Sequence, residues 1–137
     1  MKEKFTQIIK KQETIALATS VNNVPNVRII NYVYLEIEKI LYFLSFKGDK
    51  KEQEFEKNNI IAFSTIPKTD SSYIRVNHGI VQKSSKTINE IKHLFIEKWN
   101  WYENFIEKNH DKIRVYEIEL KSVTVYPDPD KGYEIEL

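Results

Sequence analysis

The spacing of apolar positions changes several times along the chain, and each change marks an element. Phe5, Ile8 and Ile9 share one helical face while Gln7 and the flanking lysines take the other, which predicts a short amphipathic helix over residues 3–12. From Thr14 the pattern becomes Ile15-Ala16-Leu17-Ala18-Thr19, then a polar Asn22-Asn23 pair, then a β-rich stretch from Val27 to Leu35, together a hairpin signal. The run Ile40 to Phe46 is almost unbroken in its apolar character and predicts a central strand. Glu52 stands three residues after Asp49, the spacing of a capping box that opens a helix reaching about Asn58. Further strands are predicted over Ile60–Ser64, over Tyr73–Gln82 with Gly79 as a bulge, and over Val115–Val125. Thr87 and Glu90 repeat the capping-box spacing, and Ile91, Leu94, Phe95, Lys98 and Trp99 continue a helical period behind them. The tail after Pro127 reads as irregular. Six or so short strands with brief helices and no βαβ alternation predict a mainly β (α+β) fold, an antiparallel barrel with short flanking helices, in one domain over residues 1–137.

Composition narrows the partners. The 21 Lys and Arg against 20 Asp and Glu leave no large field of one sign, so neither nucleic acid nor an anionic membrane is an expected partner, and any anion site must be local. Stacking aromatics on a barrel could also bind single-stranded nucleic acid, which the near-neutral charge disfavours. The chain has no cysteine, which excludes disulfides, thiolate metal sites and a cysteine nucleophile, and agrees with a reducing, cytoplasmic location. Ile8 and Ile9 are too brief an apolar pair for a signal-peptide core, and no run approaches the roughly 18 residues of a membrane span.

Asp49, Lys50 and Lys51 form the most informative cluster. Two lysines in a helix's first turn lie against the positive end of the macrodipole, and a phosphate there would accept free backbone N–H groups and pair with the ammonium groups. Solvated lysines are the alternative, and Asp49 as N-cap would use donors that a phosphate needs. Arg28, inside the apolar run Val27-Arg28-Ile29-Ile30-Asn31, needs an anion if its strand is central and points to water if the strand is an edge; Arg75 admits the same two readings. Trp99, Trp101 and Tyr102 can stack on a planar ring, cover a subunit interface or fill a core. His78, His93 and His110 have no metal-ligand spacing, and three glycines are too few for a phosphate loop or dinucleotide fingerprint. Glu117 and Glu119 alternate on one strand face as solvated residues do, so acid–base hydrolysis has no support.

Three segments in this order, Pro25-Asn26-Val27-Arg28-Ile29-Ile30, Leu41 through Lys51, and Asn58-Asn59-Ile60-Ile61-Ala62-Phe63, resemble the pyridoxamine 5'-phosphate oxidase-like family of FMN-binding split barrels over most of residues 3–125. The resemblance implies a six-stranded split barrel that binds FMN between the subunits of a homodimer. It implies Arg28, Lys50 and Lys51 on the FMN phosphate, Ser45 as a hydroxyl donor to it, and Ile29, Ile30, Asn31 and Leu44 along the isoalloxazine and ribityl chain. It also implies an interface role for the aromatics near Trp99. The true oxidases carry a C-terminal arginine and histidine segment for the substrate phosphate, whereas this chain ends in the acidic stretch Pro127 to Leu137, so vitamin B6 oxidation is not implied. Asp49 replaces the small hydroxyl residue often found before the basic pair. The short form resembles the general stress protein and nitroimidazole-resistance branches, proposed flavin reductases. The implied activity is an FMN-dependent oxidoreductase, with binding of flavin, deazaflavin or haem without turnover as the alternative.

Overall fold

A computed structural model describes residues 1–137. The chain opens with helix α1 (Lys2–Lys11), whose buried Phe5, Ile8 and Ile9 face the barrel interior, as their spacing predicts. Strands β1 (Thr14–Val21) and β2 (Val24–Asn31) form an antiparallel hairpin. Its turn places Asn22 and Asn23 at φ 52° and 64°, the left-handed region that asparagine tolerates better than most residues. β3 (Val33–Leu35) and β4 (Ile40–Phe46) form the next antiparallel pair.

Helix α2 (Lys50–Lys57) starts at Asp49, whose side chain accepts from the Lys51 N–H. Glu52 reaches back one residue further than a capping box requires, accepting from the Gly48 N–H at 3.1 Å. β5 (Ile60–Thr65) and the long β6 (Tyr73–Lys83) follow, with a register shift opposite Ile61 to Phe63 just before Gly79. Helices α3 (Ile88–Lys98) and α4 (Tyr102–Asn109) and a short 3-10 turn lead to β7 (Ile113–Glu119), β8 (Ser122–Asp128) and β9 (Lys131–Glu136).

All strand pairs are antiparallel, in the order β2-β1-β5-β6-β7-β4-β3, with β8 between β6 and β9. One end of β6 pairs with β8 and the other with β7, so the sheet curls around β6 into a half-barrel. The interior holds one core around Leu17, Phe43, Phe63, Ile74, Tyr116 and Ile118. A second core lies on the outer face of β4 and β7, where Tyr42 and Val115 pack against Ile91 and Phe95 of α3 and Ile106 of α4. No helix is long and apolar enough to cross a membrane.

The barrel class stands as expected, but there are nine strands rather than six. The predicted Val27–Leu35 strand is broken at Tyr32. Its N–H bonds to the Glu13 carbonyl and its phenol turns inward to donate to the Ile9 carbonyl, so β2 ends and β3 begins on another strand's edge. The predicted Val115–Val125 strand is two, separated where the Leu120 N–H leaves the ladder for the Lys39 carbonyl. The tail is not irregular: β9 pairs with β8, and Gly132 lies so close to the Tyr126 ring that an added Cβ would approach it at 2.6 Å. The predicted helix ends at Lys98 and is followed by α4, which periodicity alone does not mark.

Candidate functional site

The register of the β1–β2 hairpin puts Leu17 opposite Arg28 and Thr19 opposite Asn26, all on the interior face at one end of the barrel. α2 lies across that end and directs Glu54 into it. The Glu54 carboxylate accepts from the Thr19 hydroxyl at 2.6 Å, from the Asn26 amide at 3.0 Å and from the Arg28 guanidinium. Arg28 donates further to the Thr19 hydroxyl at 3.0 Å and the Leu17 carbonyl at 3.3 Å. The side chains of Arg28 and Glu54 are only 20% and 12% exposed, so Arg28 is a largely buried cation with its anion already in place.

The Thr19 hydroxyl, then Asn26 and Arg28, hold the Glu54 carboxyl at about 2 against the opposing effect of burial. A folded-state pKa below the ordinary value of 4.5 contributes stability that is complete above that value and is lost as pH falls toward 2. After allowance for partial solvation, Glu54 should account for about 1 to 2 kcal/mol of the stability lost between pH 5 and pH 2.5. Urea unfolding at the two pH values checks this, since the Glu54→Gln variant should lose correspondingly less than the wild type.

Glu54 also borders a cavity of about 420 Å³ outside the barrel end, together with Asn26, Gln53, Lys50 and Lys57. Lys50 and Lys57 are exposed and neither has a carboxylate within ion-pair distance. The cavity thus joins two free ammonium groups, two amides and one carboxylate along one side of α2.

The residues that the resemblance places on a phosphate are only partly brought together. Lys50 lines the cavity, whereas Arg28 is one side chain removed, tied to Glu54. The Lys51 ammonium lies 3.2 Å from Asp49, and the buried Ser45 hydroxyl donates to the Phe46 carbonyl; neither lines the cavity.

The opposite face of the hairpin is apolar and uncovered. Val27 and Ile29 are 63% and 61% exposed, beside Ala18 and Ala16 of β1, which pair in turn with Ala62 and Ser64 of β5. Ile30 points inward and packs on the barrel core. Asn31, at the end of β2, donates to the Tyr102 hydroxyl at 3.0 Å. Trp101, 51% exposed, stacks on Tyr102 at 4.0 Å, Phe105 meets Tyr102 edge-on, and Phe46 meets Phe105 edge-on. Leu44 packs against the outer core to which Tyr102 belongs. Asn31 therefore borders this aromatic shelf, with Ile29 two residues before it on the same strand face.

Lys98 fixes the elbow that carries this shelf. Its ammonium donates to the Gln12 and Tyr32 carbonyls at 2.5 and 3.0 Å and lies over the Tyr32 ring, and burial lowers its pKa to about 8. The adjacent Trp99 indole donates to Glu13 at 2.6 Å.

Sequence reasoning missed Glu54, Thr19, Asn26 and Lys57. A signal existed: an Asn22-Asn23 turn sets the pairing of Thr19 with Asn26 and of Leu17 with Arg28, and Glu54 lies one helical turn from Lys50. Reach across the barrel end from α2 to that hairpin was not readable without the packing.

A family model described as pyridoxamine 5'-phosphate oxidase-like matches residues 8–132. No curated protein matches the chain. Among solved structures, the chain is similar to General Stress Protein 26 from Bacillus anthracis, with TM-score 0.75, 21% identity and coverage of 99% of this chain and 98% of that one. A FAD-binding protein from Mesorhizobium loti gives TM-score 0.64 at 16% identity, covering 88% and 89%. A heme binding protein from Mycobacterium smegmatis gives TM-score 0.75 at 10% identity, covering 98% of this chain and 57% of that one.

Proposed function

Since the chain belongs to the pyridoxamine 5'-phosphate oxidase-like family, we propose that it binds FMN, works in the cytoplasm as an oxidoreductase, and does so as a homodimer with the flavin between subunits. The observation that carries this reading is the uncovered apolar face of β2, Val27 and Ile29 over the small Ala16 and Ala18, which ends on Asn31 and the Tyr102 shelf. A flat strip of this kind on an edge strand suits both a planar ring and a second copy of itself.

The residues fit a flavin in most of its parts. Ile29, Asn31 and Leu44 offer apolar contact and an amide at the ring edge, and Ile30 supports their strand from inside. Lys50 and Lys57, on one side of α2, offer positive charge to a phosphate. Arg28 joins them only where Glu54 yields, and Lys51 and Ser45 would reach a phosphate only by leaving Asp49 and the Phe46 carbonyl. When bound, the flavin itself supplies the electron transfer, and the protein contributes position, electrostatics and exclusion of water.

The first test is a visible spectrum of the purified protein together with light scattering, which should give flavin bands and twice the chain mass. A Soret band in their place would favour the second reading, haem binding without turnover, which the likeness in fold to the mycobacterial heme binding protein brings forward. Reduction by NADH or NADPH in a stopped-flow mixer separates an enzyme from a carrier. Lys50→Ala should weaken FMN binding about fivefold, as expected for one solvent-screened charge-assisted contact, and leave riboflavin binding unchanged. Equal losses for both ligands would remove Lys50 from the phosphate.

A further inference from the structure

Glu54 occupies the place from which an anion in the barrel-end cavity would address Arg28. It lines that cavity while Arg28 does not, and three donors from two strands hold it there. A phosphate entering beside Lys50 and Lys57 meets this carboxylate first. To reach the guanidinium from this cavity it must displace Glu54, and Thr19 and Asn26 resist that movement.

We infer that Glu54 is the specificity-determining residue of the site, an internal competitor for Arg28 that suppresses the preference for a phosphorylated flavin over its phosphate-free form. The inference rests on the flavin reading above and concerns the same site. In the wild type the phosphate draws on Lys50 and Lys57 against the charge of Glu54, so FMN and riboflavin differ little in affinity. A glutamine at position 54 keeps the size and an acceptor for Thr19 or Asn26 but removes the negative charge, leaving Arg28 in need of an anion.

Side-by-side titrations of FMN and riboflavin, followed by the quenching of flavin fluorescence, test this. The wild-type affinities should lie within about tenfold of each other, and Glu54→Gln should raise the FMN to riboflavin ratio about tenfold or more. Arg28→Gln/Glu54→Gln should return the ratio to the wild-type value, because the freed guanidinium is gone. Thr19→Val removes one of the three donors and leaves both charges, so it should shift the ratio in the same direction by a smaller factor; it carries the test if Glu54→Gln does not fold. An unchanged ratio in whichever of the two variants folds, with both flavins still bound, overturns the role of Glu54 and leaves the flavin reading standing. Binding of neither flavin to the wild type or any variant overturns both.

Discussion

On the homodimeric, flavin-binding reading proposed above, lysine at both Val27 and Ile29 should give a folded monomer that does not retain flavin. Both side chains are more than half exposed on the outer face of β2 and take no part in either core, so the fold should lose no more than about 1 kcal/mol from the pair of substitutions. A two-fold interface presents the same patch twice, so the double variant would bring four ammonium groups into one apolar contact. Each would have to be desolvated without a partner. β2 also ends the main strand path, paired only with β1, and an apolar strand exposed at a sheet edge needs a cover if it is not to aggregate. Light scattering and flavin titration on a variant whose circular dichroism matches wild type decide the matter. A variant that stays dimeric would move the interface elsewhere on the barrel.

The elements that could be read from the sequence are those whose local pattern agrees with their burial. Ile15, Leu17 and Thr19 alternate with Ala16 and Ala18 because β1 is covered on one face, and β4 reads as continuously apolar because Leu41 and Phe43 face the barrel while Tyr42 and Leu44 face α3 and α4. The elements that were not legible depend on distant partners. Tyr32 looks like any aromatic strand residue until the Ile9 and Glu13 carbonyls capture its hydroxyl and amide. β9 carries charged residues and a glycine and forms only because β8 offers an edge. Asp49-Lys50-Lys51 reads as one cluster in the sequence, yet a helix turns about 100° per residue, which sends Lys50 to the cavity and leaves Lys51 on Asp49. Glu54 escaped notice for a similar reason: on α2 it is one glutamate among three, and only the packing of α2 across the hairpin distinguishes it.

Breaking the Arg28–Glu54 pair from one side should destabilise the fold far more than removing both partners. Arg28→Met leaves a nearly buried carboxylate with Thr19 and Asn26 as its only donors, and about 2 to 3 kcal/mol should be lost, lowering the melting temperature by about 10 °C. Arg28→Met/Glu54→Leu replaces the pair by apolar side chains of similar length and should lie within about 1 kcal/mol of wild type, a coupling of at least about 2 kcal/mol between the positions once the cost of Glu54→Leu is counted. Urea denaturation of the wild type, both single variants and the double variant completes the cycle, and a double variant as unstable as the sum of the single ones would show that the two side chains act independently. The expected outcome bears on function, since a pair whose joint removal costs the fold little is not accounted for by stability. The cavity beside the pair, with Lys50 and Lys57 free at its rim, is where another role would be exercised.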